Sequence, residues 1–148
     1  MKSQTLLNLL SLAILFVTSS LVNSAEHTFE NYTVHYSLIN SSFIQPEVAT
    51  QYGIKRSKNL AFLNISVLKK KTDDTNTPVI SNIFGHGKNL IGQLKELSFK
   101  QIKEKDAIYY IATFPISNGE RLAFDLKVQP EKKGKLIPIV FKEQVFID

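Results

Sequence analysis

Ala107-Ile108-Tyr109-Tyr110-Ile111-Ala112-Thr113-Phe114, then Ser117-Asn118-Gly119-Glu120, then Arg121-Leu122-Ala123-Phe124-Asp125-Leu126-Lys127-Val128 is the stretch whose reading decides the fold. In the last segment Leu122, Phe124, Leu126 and Val128 alternate with Ala123, Asp125 and Lys127, the period of a half-buried strand. The first segment is apolar or aromatic at both parities, which marks a central strand covered on both faces. Asn118-Gly119 between them supplies the backbone freedom of a tight turn. The expectation is an antiparallel hairpin of Ala107–Phe114 with Arg121–Val128.

Working outward, the same period recurs. Tyr32, Val34, Tyr36 and Leu38 oppose Thr33, His35 and Ser37, and Leu63, Ile65 and Val67 oppose Asn64 and Ser66, with Phe62 and Leu68 interrupting the polar face. Weaker strands are expected at Val79–Phe84, Leu97–Ile102 and Ile137–Ile147. Helix is scarce. Pro46 to Tyr52, with proline at the first helical position and Gly53 at the exit, reads as about two turns in a crossover connection. About seven short strands and one short helix predict an all-β fold, an immunoglobulin-like antiparallel β-sandwich, with a small barrel as the alternative. Lys69 to Pro78 and Glu131 to Lys135 read as polar loops.

Toward the N-terminus the pattern changes. Lys2 precedes an apolar run from Leu6 to Val17, about a dozen residues, which fits a secretory signal and falls short of the ~20 needed to span a bilayer. Val22-Asn23-Ser24 suits cleavage before Ala25. Residues 1–24 are therefore expected to be a signal peptide and residues 25–148 a single β-sandwich domain, with no membrane span after cleavage. The chain has no cysteine, so neither lipid attachment at cysteine nor disulfides are available. An exported chain of this size without disulfides fits a bacterial periplasm, where packing alone must hold it. Hydrophobic content of 43% and charged content of 21% are those of a globular chain. The only charge in the N-terminal segment is Lys2, so the formal charge falls from +5 to +4 on its removal. An exported, mildly basic protein points to an anionic envelope component or another periplasmic protein as partner, and not to nucleic acid.

Several blocks carry a resemblance. They are Asn40-Ser41-Ser42-Phe43-Ile44-Gln45-Pro46-Glu47-Val48-Ala49, Tyr52-Gly53-Ile54-Lys55-Arg56-Ser57-Lys58, Leu63 to Leu68, Ile108-Tyr109-Tyr110-Ile111-Ala112, Phe114-Pro115 and Asn118-Gly119-Glu120. Together they resemble domain of unknown function 4426, a family of small exported gammaproteobacterial proteins. The resemblance implies an immunoglobulin-like fold and a periplasmic setting, and it transfers no activity or catalytic residue.

The residues themselves offer little chemistry. There is no Gly-x-Ser-x-Gly elbow, and His27, His35 and His86 are scattered. His35 reads as a polar position on the exposed side of the first strand, and His27 as part of a mobile N-terminus. Gly85-His86-Gly87-Lys88-Asn89 lacks the spacing of a phosphate loop and reads as a β-turn. No metal motif and no cofactor motif is present. Asn31, Asn40 and Asn64 match the glycosylation pattern only formally in a bacterial setting. Tyr109-Tyr110 reads as one ring in the core and one at an edge. Lys55, Arg56 and Lys58, just past the short helix, form the one cluster read as a binding site, because clustered cations on a loop can hold a phosphate or carboxylate. The sequence thus predicts a non-catalytic binding or interaction module. Its rivals are a small envelope enzyme with a site assembled from distant residues, and a chaperone-like module pairing through a sheet edge.

Overall fold

A computed structural model describes residues 24–147. The expected signal segment, up to residue 23, lies outside the described residues. The strands are β1 (Ser24–Phe29), β2 (Tyr32–Asn40), β3 (Leu60–Lys70), β4 (Asn76–Pro78), β5 (Ser81–Asn89), β6 (Leu94–Glu96), β7 (Lys100–Lys103), β8 (Ile108–Pro115), β9 (Glu120–Pro130) and β10 (Ile137–Val145). A 3₁₀ turn at Ser41–Phe43 and the helix α1 (Pro46–Tyr52) lie between β2 and β3. All pairings are antiparallel. One sheet runs β1-β2-β3-β8-β7 with β4 added to β3, and the other runs β10-β9-β5-β6. The all-β sandwich with one short helix is as predicted, with ten strands in place of about seven.

The core is the set of inward parities. Val34 from β2, Leu63, Ile65 and Val67 from β3, and Leu122, Phe124, Leu126 and Val128 from β9 are all buried in one cluster. Tyr36, Phe141 and Phe124 stack in series, with centroid separations of 4.5 and 4.6 Å. Phe62 has its own role. With Ile102 and Ile111 it forms a second cluster on the outer face of the first sheet, where Ile39, Ile44, Tyr52 and Ile54 cover it. Burying a phenylalanine there is worth about 2–3 kcal/mol. The excursion through α1, with Ile44, Tyr52 and Ile54, therefore explains why β3 breaks its polar parity at Phe62 and why β8 is apolar on both sides.

α1 begins on Pro46 and ends on Gly53, whose φ of 66° lets its N–H reach the carbonyls of Ala49 and Thr50. It does not cross between sheets. β2 and β3 are adjacent in one sheet, so α1 is an excursion within a long hairpin connection.

The central hairpin is not formed, and this is the main correction. β8 pairs with β3 and β7, whereas β9 pairs with β10 and β5. Ser117–Glu120 does turn, with the Glu120 N–H donating to the Ser117 carbonyl at 3.2 Å, but it carries the chain from one sheet to the other. A two-residue type I′ hairpin needs positive φ at both central residues. Here only Gly119 has it (71°), and Asn118 does not. Ile116, buried just before the turn, is also fastened to the first sheet by its N–H to the Asn59 carbonyl.

Three smaller expectations change. His27 belongs to β1, paired with Val34 of β2, and is not in a mobile terminus. Leu97–Ile102 is not one strand: residues 97–99 cross between β6 and β7, with Leu97 and Phe99 packed on the core. Part of the Lys69–Pro78 loop is ordered, because Asn76–Pro78 folds back as β4 on Leu68–Lys70.

Candidate functional site

Lys55, Arg56 and Lys58 stand on the segment between α1 and β3, which Asn40 and Ser41 fix in place. Asn40 is buried. Its amide donates to the carbonyls of Lys58 (2.7 Å) and Phe146 (3.3 Å), and its Oδ1 accepts from Ser42 N and Oγ. Ser41 Oγ donates to the Ser57 carbonyl at 2.9 Å. Asn40 is thus a structural clasp. A shallow recess of about 450 Å³ lies beside the segment, lined by Pro46, Ala49, Thr50 and Gly53 to Arg56. Lys55 and Arg56 border it and Lys58 does not. Arg56 commits Nη2 to the Ser42 carbonyl at 2.8 Å, which anchors the guanidinium and reduces what it can offer a ligand.

A second cationic group emerges from strand register on the outer face of the other sheet. Lys88 of β5 and Lys142 of β10 both lie opposite Ala123 of β9, so a small residue sits between two lysines. Arg121, two residues along β9, projects from the same face. The three cations line a recess of about 500 Å³ with Leu90, Ala123, Gln144 and one carboxylate, that of Glu143. None of the three forms an ion pair or hydrogen bond with another described residue, whereas Lys69, Lys70, Lys95, Lys127 and Lys135 are all paired. Three unpaired cations around a concavity can hold a phosphate or carboxylate through charge-assisted bonds, Arg121 with two parallel ones. Spacing in sequence gave no signal for this group, since its members are dozens of residues apart.

Glu120 builds the frame beside it. Its carboxylate accepts from Asn89 Nδ2 (2.9 Å) and Ser117 N (3.0 Å) and pairs with Lys95 at 3.0 Å, with side-chain exposures of only 13% for Lys95 and 8% for Glu120. Burial disfavours the charge, but these donors together outweigh it and hold Glu120 below the usual carboxylate range.

Gly85 to Asn89 is not a turn. It lies inside β5, where Gly87 lets the backbone approach the Phe124 ring. His86 is exposed, opposite Asp125 and Glu96 in register. Asp125 is hydrogen-bonded by Lys127 at 2.6 Å, and that bond, with a smaller contribution from His86, keeps it below the usual carboxylate range. His35 pairs with Glu26 at 3.7 Å on the open edge of the sheet. Neither histidine lines either recess. Tyr110 is the core tyrosine, its hydroxyl accepting from Ser81 N at 2.7 Å, and Tyr109 faces outward. Among the described residues no three His, Asp or Glu side chains come together to hold a metal, and no helix is long and apolar enough to cross a membrane.

Fold and surface define an antiparallel β-sandwich with two cationic recesses on opposite faces. The sequence profile of domain of unknown function 4426 matches residues 26–148, and the chain belongs to that family. A solved DUF4426 family protein from Pseudomonas aeruginosa PAO1 is 34% identical, with a TM-score of 0.73 over 84% of this chain and 96% of that one. No curated protein matches the chain.

Proposed function

We propose that the protein is an exported, non-catalytic binding module of the periplasm that holds an anionic group at Lys88, Arg121 and Lys142. The observation that carries this reading is the convergence on one recess of three cations, none of them paired with a described residue. Three cations against the single carboxylate of Glu143 leave an excess of positive charge, and a bound anion offsets their mutual repulsion. The N-terminal signal pattern supports export. Cleavage before Ala25 leaves Ala25–Phe29 of β1 still paired with β2. Intact mass of the protein recovered by cell fractionation is expected to give Ala25 or Glu26 as the first residue, and recovery from the cytoplasm with residues 1–24 retained would refute export.

A second reading puts the anion at Lys55 and Arg56, supported by the recess beside α1. Titration of inorganic phosphate and glycerol phosphate at low and physiological salt separates the two. Binding near 1 mM, about −4 kcal/mol, is the scale for a single small anion. The joint variant Lys88→Gln, Arg121→Gln, Lys142→Gln is expected to weaken it at least tenfold, while Arg56→Lys leaves it unchanged. The reverse pattern would select the recess beside α1, and no binding to wild type would refute both. Pairing through a sheet edge has less support at β6 and β7, which are short and charged, and at β10, which carries Pro138 and Lys142, and that reading is confined to β1, the strand at the other edge of the first sheet among the described residues.

A further inference from the structure

The turn joining β5 to β6 holds two aliphatic side chains in solvent beside the cationic recess. Leu90 and Ile91 are each 80% exposed, and Leu94, opposite Lys88, is also exposed. Slack does not account for this. The Asn89 N–H donates to the Gln93 carbonyl (3.0 Å), the Gly92 N–H to the Asn89 carbonyl (3.0 Å), and the Gln93 N–H to Asn89 Oδ1 (2.8 Å). Asn89 Nδ2 reaches both Gln93 Oε1 (2.8 Å) and Glu120 Oε1 (2.9 Å). Gly92 at φ 85° closes the turn. The base is thus tied to Glu120 while the tip presents leucine and isoleucine outward.

Leu90 lines the same recess as Lys88, Arg121 and Lys142. We propose that this end of the sandwich docks on an anionic membrane surface, with Leu90 and Ile91 entering the acyl boundary and the three cations meeting lipid phosphates. The inference rests on the anion-binding reading above and names its source as a lipid headgroup. Charge complementarity favours lipid: an aliphatic tip backed by unpaired cations matches an apolar layer behind a sheet of phosphates. A protein partner would call for a broad surface with aromatic anchors, and the tip has none.

The test is co-sedimentation of the mature protein with phosphatidylcholine vesicles, with and without phosphatidylglycerol, beside the phosphate titration. Wild type is expected to bind only the phosphatidylglycerol vesicles, less strongly as salt rises. Ile91→Ser, at a position 80% exposed and outside the recess lining, is expected to reduce vesicle partitioning about tenfold while phosphate binding and the thermal midpoint stay unchanged. The triple glutamine variant is expected to lose both. Phosphate binding without vesicle binding, or vesicle binding indifferent to the Ile91 change, overturns the docking inference and leaves the anion site standing. Retention of a protein through Leu90 and Ile91 without vesicle binding overturns it equally. Absence of both phosphate and vesicle binding overturns the two readings together.

Discussion

Alanine at Gly85 is expected to destabilise the protein by about 3–5 kcal/mol, combining backbone strain with overpacking against a strand that cannot move. Gly85 has φ 144°, and a Cβ there would lie 2.3 Å from the Asp125 carbonyl oxygen and 2.8 Å from Leu126 Cα. Both atoms are backbone of β9, which is held on its two sides by β5 and β10. Neither side can yield without breaking a ladder. Gly119→Val is the comparison, because the nearest atom to its Cβ is the flexible Gln144 Nε2 at 3.8 Å, leaving only the strain of φ 71°. That variant should cost about 1–2 kcal/mol. Urea unfolding with unchanged slope is the measurement, and a Gly85→Ala midpoint equal to that of Gly119→Val would show that β5 and β9 are less closely apposed than described.

Gly85 also marks where sequence pattern stops being informative. A glycine in a polar segment reads equally as a turn or as close approach of two strands, and only the partner strand decides. Alternation fixed the face of Leu122, Phe124, Leu126 and Val128 because facing depends on a strand's own period. Partner choice does not, so Ala107–Phe114 and Arg121–Val128 were legible as strands while their separation into two sheets was not. α1 was legible to the residue because Pro46 and Gly53 act locally. The two cationic groups divide in the same way. Lys55, Arg56 and Lys58 appear as a run, whereas Lys88, Arg121 and Lys142 meet only through the register of three strands.

The same frame makes Glu120 a costly side chain to remove. Glu120→Ala leaves Lys95 largely buried without its counter-charge and strips partners from Asn89 and the Ser117 N–H. Loss of one member of a buried pair costs about 3–5 kcal/mol, and the residual exposure of Lys95 puts the expected loss near the lower end, about 3 kcal/mol. Lys95→Met in the same chain should recover part of it, since the stranded charge is then gone; no recovery would mean that the ion pair contributes little beside the Asn89 and Ser117 bonds. The pH dependence follows from the sign of the shift. The carboxylate is held below its ordinary value in the fold, so the unfolded chain binds the proton more readily, and stability from Glu120 is complete above the unfolded pKa. It is lost as pH falls through the lower folded value. Wild type should therefore lose stability more steeply than Glu120→Gln over that acid window. Parallel curves for the two proteins from neutral pH downward would show that the carboxylate is not preferentially ionised in the fold.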